Sequence, residues 1–169
     1  MPVVFICLAC SQPGSNNTQL QNRVDSLEQK LAHTYKPGFG EFMSGIQMHH
    51  AKLWFAGQKQ NWKLADFEIH EIEEALEDIQ TFNVDRPETK SIAMLTPAID
   101  SMNKAIQLKN VELFRKNFVL LTSTCNKCHQ ATEYEFNVVT IPTGLPVTNQ
   151  DFSPIKSFKK ICYRVRSPI

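Results

Sequence analysis

The sequence predicts an all-α protein built around a four-helix up-down-up-down bundle. Apolar residues recur three and four positions apart through five successive segments, which is the spacing of one face of an α-helix. Glycine is scarce, with 6 in 169 residues, and this argues against a turn-rich β-barrel or sandwich. The 42% hydrophobic and 21% charged residues are ordinary globular values. A collagen-like or fully disordered chain is therefore excluded.

The length favours one folded domain, with additional segments at both ends. We expect a signal-like start and polar linker over residues 1–19, a short amphipathic helix over 20–36, the bundle over 37–136 and an extended tail over 137–169. The formal net charge of +1 supplies no overall attraction to nucleic acid. No apolar run reaches the roughly 18 residues that a membrane-spanning helix needs.

The first ten residues resemble the end of a bacterial lipoprotein signal. A short apolar run ends in Leu8-Ala9-Cys10, and a linker rich in Pro, Gly, Ser and Asn follows. The run lacks the positive charge of a secretory signal, and Cys7 stands where such signals usually have leucine. We expect a signal remnant whose Cys10 is acylated and tethers the protein to a membrane. The alternative is a buried N-terminal strand.

The first predicted helix has a narrow apolar seam. Leu20, Val24, Leu27 and Leu31 are spaced by 4, 3 and 4 residues, as in a coiled coil. The seam covers about two heptads, whereas a confident coiled coil needs three to four. The helix therefore either packs on the main domain or mediates self-association through residues 20–34.

Two longer amphipathic helices follow. The second helix runs roughly over residues 41–58, and its inward stripe contains Met43, Ile46, His50, Leu53 and Gly57. The third helix runs over about 62–82, with Asn61 as a good N-cap. One face of the third helix is acidic, and a charged face of this kind is usually solvated and less often a docking patch. The acidic residues of this face are Asp66, Glu68, Glu71, Glu73, Glu74, Glu77 and Asp78.

The fourth and fifth helices complete the predicted bundle. Pro97 either kinks the fourth helix or lies at its start, with Thr96 as the cap. The residues in register along this helix are Ile92, Leu95, Ile99, Met102 and Ile106. Asn110 caps the fifth helix, after which no helical periodicity continues beyond about Phe136. The seam of the fifth helix is Val111, Phe114, Phe118, Leu121, Cys125 and Cys128.

Residues 125–129 read Cys-Asn-Lys-Cys-His, the C-x-x-C-H signature of covalent haem attachment. The thiols of Cys125 and Cys128 would form thioether bonds with the porphyrin vinyl groups, and His129 would bind the iron as the proximal ligand. One helical turn between the sulfurs suits the distance between the two vinyl groups. The motif therefore predicts one covalent haem c.

Other interpretations of this motif fit the chain less well. A thioredoxin-like C-x-x-C expects a βαβ context, and a zinc site needs two more ligands. The remaining cysteines, Cys7, Cys10 and Cys162, are remote in sequence. A structural disulfide would not require the adjacent histidine. Chance occurrence of C-x-x-C-H at this composition is on the order of a few in a thousand.

Three possibilities exist for the second axial position of the iron. The first and last helices of an up-down bundle are antiparallel neighbours, so Met43 would lie near His129, and a thioether is a known haem ligand. His50, about 10 Å further along the helix, or the adjacent His49 is the next candidate. An open sixth position is the third. Met43 could also be a core residue, and His50 a hydrogen-bonded buried histidine.

With C-x-x-C-H near the end of its last helix, the chain resembles the c-prime-type cytochromes over about residues 40–135. That resemblance implies a haem at one end of the bundle, anchored by Cys125 and Cys128 and ligated by His129. Met43 would occupy the distal position on the first helix of the bundle.

A second likeness concerns residues 50–57, which read His-Ala-Lys-Leu-Trp-Phe-Ala-Gly, together with Asn61-Trp62 and the acidic stretch 68–74. These residues are similar to those of a group of exported bacterial cytochrome-like proteins. The chain departs from the c-prime pattern by its extra N-terminal helix, its long tail and the lack of an arginine shortly after His129.

We therefore expect a periplasmic monohaem c-type cytochrome that transfers single electrons to and from partner proteins and is not an enzyme. A gas-binding or gas-sensing haem protein with an open sixth iron position is the main alternative. A haem-free helical interaction lipoprotein is the third, and it would make the C-x-x-C-H sequence accidental.

Overall fold

A computed structural model describes residues 15–32 and 34–155 of the chain. Every regular element in these ranges is helical, and they contain no strand. The predicted all-α class is therefore confirmed. No helix in the described ranges combines the length and the apolar character needed to cross a membrane. The signal-like residues 1–14 with Cys10, and residues 156–169 of the predicted tail, lie outside the described residues.

The chain divides into two compact units, residues 1–36 and 37–169. The first unit contains helix α1 (Ser15–Ala32). The four seam residues from Leu20 to Leu31 are each 46 to 66% exposed. The side chains of Gln21 and Asp25 are joined by a hydrogen bond of 3.0 Å across one helical turn. The choice between packing and self-association for this seam stays a prediction.

The second unit begins with helix α2 (Phe39–Gln58), which starts two residues earlier than predicted. Gly38 is its N-cap residue, in an extended conformation and without a capping side chain. His50, Leu53 and Gly57 of the predicted stripe are buried, and Met43 and Ile46 are half-buried against the core. The 3.6-residue period of the apolar residues therefore identified the inward face correctly.

Helix α3 (Trp62–Phe82) has the bounds predicted from its period and its cap. The side chain of Asn61 accepts a hydrogen bond from the backbone N–H of Leu64, at 3.4 Å, as an N-cap residue does. One member of the acidic face departs from the prediction. Glu68 is 1% exposed and lies in the interior, while Asp66, Glu74, Glu77 and Asp78 are exposed.

The predicted fourth helix is two elements in the structure. A 3₁₀ helix covers Pro87–Leu95, and helix α4 covers Thr96–Gln107. Pro97 lies in the first turn of α4, where its missing N–H costs no hydrogen bond, so the kinked alternative is wrong. Leu95 rather than Thr96 occupies the N-cap position. Ile92 and Leu95 are both buried, although the helix geometry changes from 3₁₀ to α after Leu95.

Helix α5 (Val111–Ala131) carries the seam that ends in the C-x-x-C-H sequence. Asn110 caps it as predicted, accepting a hydrogen bond of 3.0 Å from the N–H of Leu113. Phe114 and Phe118 are fully buried, and the ring of Trp54 lies 4.8 Å from that of Phe118. This aromatic cluster joins the middle of α5 to α2.

The helices of the second unit pack in the order in which they occur along the chain. Helix α2 packs on α3, α3 on α4, α4 on α5, and α5 returns to α2. The 3₁₀ helix packs on α3, α4 and α5. Apolar side chains from all of these elements form one continuous core. The core therefore depends on every helix of this unit.

The residues that follow α5 are irregular but are attached to the helices. Phe152 is buried and its ring lies 5.8 Å from that of Phe55. The side-chain amide of Asn61 donates a hydrogen bond of 3.2 Å to the carbonyl of Ser153. Residues up to Ile155 therefore return along the unit to the turn between α2 and α3.

We predict opposite effects on stability for alanine at two glycines of α2. The ring of Phe114 occupies the space that a Cβ atom at Gly57 would need, so Gly57→Ala should lower the free energy of unfolding by about 1–3 kcal/mol. Gly45, on the same helix, has open space there. Gly45→Ala should therefore stabilise the helix by roughly 0.5–1 kcal/mol. Urea unfolding measures both, and equal effects would contradict the packing of α2 on Phe114.

Candidate functional site

The five residues predicted as site residues line one cavity. Cys125, Cys128 and His129 come from α5, and Met43 and His50 come from α2. The cavity has a volume of about 510 Å³, within the roughly 300–1,000 Å³ of small-molecule and cofactor sites. Its apolar lining residues include Phe39, Ile46, Leu76, Ile92, Leu95 and Val139.

The two cysteines of the motif are one helical turn apart and are free thiols. Cys128 is buried, and its Sγ lies 3.7 Å from the carbonyl oxygen of Ser91, to which it donates a weak hydrogen bond. Burial raises the pKa of Cys125 to about 12, and it also raises the pKa of Cys128. Both thiols are therefore protonated at neutral pH. Redox-active C-x-x-C pairs instead need a lowered thiol pKa.

The imidazole of His129 has a fixed proton position. Its Nδ1 lies 2.6 Å from the carbonyl oxygen of Asn137. A carbonyl oxygen can only accept, so Nδ1 donates, and Nε2 is the ring nitrogen that remains for a metal. Metal-binding histidines usually have this arrangement, in which one ring nitrogen is held by a carbonyl and the other is available to the metal.

His50 is held in the cavity wall by a second hydrogen-bonded chain. Its Nε2 lies 2.9 Å from Oγ1 of Thr122, and the hydroxyl of Thr122 donates to the carbonyl of Phe118, also at 2.9 Å. The single hydroxyl proton is thereby used, so Nε2 of His50 must be the donor to Thr122. Burial lowers the pKa of His50 to about 4. At neutral pH the ring is uncharged, and its unprotonated nitrogen is Nδ1.

Met43 and His49 differ in their surroundings. Met43 lines the cavity and packs against the core with its apolar side chain. His49 is absent from the residues that line this cavity. Its Nδ1 lies 2.7 Å from Oε2 of Glu68, and its Nε2 lies 4.0 Å from Oε2 of Glu71. His49 therefore belongs to a separate contact between α2 and α3.

Glu68 corrects the prediction that the acidic residues of α3 form a solvated face. Its Oε1 is buried and has no hydrogen-bond partner among residues 15–32 and 34–155, while Oε2 is paired with His49. The residue lies three positions after Ala65 and four before Ile72, both of which are buried. This spacing on the inward stripe was the signal that could have identified Glu68 as an interior residue.

A polar cluster that sequence reasoning missed borders the cavity. Nη2 and Nε of Arg86 donate to the two carboxylate oxygens of Glu88, at 2.6 and 3.1 Å. The hydroxyl of Tyr134 lies 3.2 Å from the same carboxylate. The hydrogen bond from Arg86 is the main cause that lowers the pKa of Glu88 to about 2. The guanidinium also lies 5.9 Å above the ring of Phe39. The cluster thus gives this edge of the cavity a paired charge.

No group of three or more His, Cys, Asp or Glu side chains in the described ranges is placed to hold a metal ion by itself. A haem does not need such a group, because the porphyrin supplies the equatorial nitrogens of the iron. One axial side chain such as His129 is sufficient for attachment of the metal. The donor set of the cavity fits a porphyrin-bound iron.

We predict that the buried His50 makes the haem-free protein less stable in mild acid. The unfolded chain binds a proton at His50 near pH 6.5, whereas the folded chain does so only near pH 4. Stability should therefore fall as the pH is lowered from 6.5 to 4 and then level off, with a contribution of up to about 3 kcal/mol. Urea unfolding of the haem-free protein at several pH values measures this.

The control for this prediction compares two histidines. His50→Gln keeps a donor for Thr122 but does not titrate, so it should flatten the pH dependence. His70 is 66% exposed, and His70→Gln should not produce the flattening that is expected of His50→Gln. Equal slopes in the wild type and His50→Gln would contradict the prediction.

No protein-family model matches this chain, and neither the curated proteins nor the solved structures give a match to it. The cavity and the residues that line it are therefore the basis on which a function can be inferred.

Proposed function

We propose that this chain is a monohaem c-type cytochrome that transfers one electron at a time. Cys125 and Cys128 would bind haem c covalently, and His129 would be the proximal ligand of the iron. The observation that carries the proposal is that these three residues line one largely apolar cavity together with Met43 and His50.

The chemistry of the cavity residues supports this assignment. When bound, a haem supplies one-electron redox chemistry, and the protein supplies attachment, burial and axial ligation. The two thiols are unpaired, and the hydrogen bond of Nδ1 of His129 to a carbonyl leaves Nε2 available to a metal. The apolar walls would exclude water from a planar hydrophobic ring. Each of these features is expected of a c-type haem site.

Met43 is the distal ligand that we propose, with His50 as the runner-up. Using Nε2 of His50 as a ligand would break its hydrogen bond with Thr122, so only Nδ1 is left for the iron without a rearrangement. The thioether of Met43 has no such competing bond within the part of the chain that the structure describes. Methionine ligation also raises the reduction potential relative to a second histidine. A coordination shell that stays complete in both oxidation states favours electron transfer.

We further propose that α2 to α5 form the up-down-up-down bundle predicted from the sequence, with the haem at one end. The contacts between consecutive helices, and the return contact of α5 to α2, are those of such a bundle. Cavity-lining residues come from the beginning of α2 and the end of α5, as antiparallel first and last helices require. An extended tail after the haem domain is part of the same proposal.

Location and partners follow from the cofactor. Thioether attachment of haem takes place outside the bacterial inner membrane, so we propose a periplasmic protein, with acylation of Cys10 as a tether. The partners would be redox proteins, and the exposed carboxylates of α3 offer them a charged surface. Self-association through residues 20–34 is a further proposal for α1. We assign no enzymatic activity.

The second candidate function is gas binding or gas sensing at an open sixth iron position. It is favoured by the neutral, buried ring of His50, which is held by Thr122 and would remain in the cavity beside a small ligand. In this case Met43 would be a packing residue only. A haem-free interaction lipoprotein is the third candidate, and a single test of covalent haem separates it from the other two.

We predict that the protein retains haem after denaturation. Produced in a host with c-type maturation machinery, the wild type should keep a haem signal in a denaturing gel and gain the mass of one haem. The double variant Cys125→Ala, Cys128→Ala should lose covalent haem, because both thioether sulfurs are gone. Complete loss of haem from the denatured wild type would refute the proposed function.

The sixth ligand gives a separate prediction. The oxidised wild type should show the weak sulfur-to-iron charge-transfer band in the far red, and Met43→Ala should remove the band and admit carbon monoxide. If His50→Ala admits carbon monoxide while Met43→Ala does not, the iron has two histidine ligands. A wild type that binds carbon monoxide readily and lacks the band would favour the gas-binding function.

A further inference from the structure

The segment that follows α5 folds back onto the C-x-x-C-H sequence. At the end of the helix, Glu133 has a left-handed backbone with φ of 64°, and the N–H of Tyr134 donates to the carbonyl of His129 at 2.8 Å. This pattern is the helix-terminating Schellman motif, here with glutamate where glycine is usual. We call residues 132–139 the return segment.

The first x residue of the motif holds the far end of the return segment. The side-chain amide of Asn126 donates to the carbonyl of Val139 at 2.8 Å, and its carbonyl oxygen accepts from the N–H of Val139, also at 2.8 Å. One side chain thus pairs with both backbone polar groups of one residue. Exposed Lys127, the other x residue, has no comparable contact among the described residues.

Asn137 lies between these two attachment points, and its carbonyl accepts the Nδ1–H of His129 at 2.6 Å. Asn126 and His129 are three residues apart and therefore lie on the same side of α5. Val139 is two residues beyond Asn137, so fixing Val139 limits the positions available to the Asn137 carbonyl. The geometry of the proximal histidine thereby depends on Asn126.

We propose that Asn126 is a positioning residue that tunes the proposed haem iron through the return segment. It keeps the Asn137 carbonyl on Nδ1 of His129, and this hydrogen bond makes the imidazole a stronger electron donor to the metal. A stronger donor favours the oxidised iron. This inference rests on the proposed function, because the effect on the metal requires that His129 binds haem iron.

The test compares three variants of the haem-loaded protein. Asn126→Ala and the similarly sized, uncharged Asn126→Leu both remove the two bonds to Val139. Lys127→Arg, which keeps the positive charge, is the matched control within the same motif. We expect the reduction potential to rise in both Asn126 variants and to stay at the wild-type value in Lys127→Arg. The largest rise should approach a tenfold shift of the redox equilibrium, ~59 mV for one electron.

Hydrogen exchange supplies the second measurement. The backbone amide of Val139 and the Nδ1 proton of His129 should exchange faster in Asn126→Ala than in Lys127→Arg. Faster exchange with an unchanged potential would mean that Asn126 only stabilises the return segment, and the inference would be overturned. An unchanged exchange rate at Val139 would overturn it as well.

Failure of the inference and failure of the proposed function are distinguishable. The proposed function fails if the wild type carries no covalent haem after maturation. The inference fails in a protein that does carry haem, when removal of the Asn126 side chain leaves the potential at the wild-type value.

Discussion

The change in side-chain size along the seam of α5 is the constraint on which the site depends. Phe114, Phe118 and Leu121 fill the core, and the next two seam residues are the much smaller Cys125 and Cys128. Protein interiors are otherwise closely packed, so a run of small side chains leaves unfilled volume beside them. The cavity of about 510 Å³ lies where the large residues of the seam end. The same helical spacing of seam residues in α5 therefore places the large side chains in the core and the two cysteines at the cavity.

Local signals explain which parts of the fold could be predicted from the sequence. The bounds of α3 and the caps Asn61 and Asn110 were correct, because period and capping act within a few residues. The 3₁₀ helix before α4 was not predicted. The apolar residues before and after Pro97 fall on one face whether the segment before it is an α-helix or a 3₁₀ helix, so their spacing does not distinguish the two. Met43 and His50 line the same cavity as the C-x-x-C-H residues, as expected where the start of α2 lies beside the end of α5.

The features that sequence reasoning missed join residues that are distant along the chain. The pairing of His49 with Glu68, the hydrogen bond from Tyr134 to Glu88, and the two bonds between Asn126 and Val139 each connect separate elements or loops. The residues in these contacts do not recur at a helical period, so no sequence pattern indicates the contacts. Their existence depends on the three-dimensional packing, which brings one polar side chain within reach of another.

The charges around the cavity bear on the redox properties that a haem would have there. The thiols and His50 are neutral, and the charge of Arg86 is offset by that of Glu88. The oxidised haem carries one more positive charge than the reduced haem, and a low-dielectric cavity without a counter-charge disfavours that extra charge. In the proposed cytochrome, burial would therefore raise the potential, whereas the hydrogen bond from His129 to Asn137 would lower it by strengthening the proximal ligand. The potential would then depend on the balance between an apolar cavity and one backbone carbonyl.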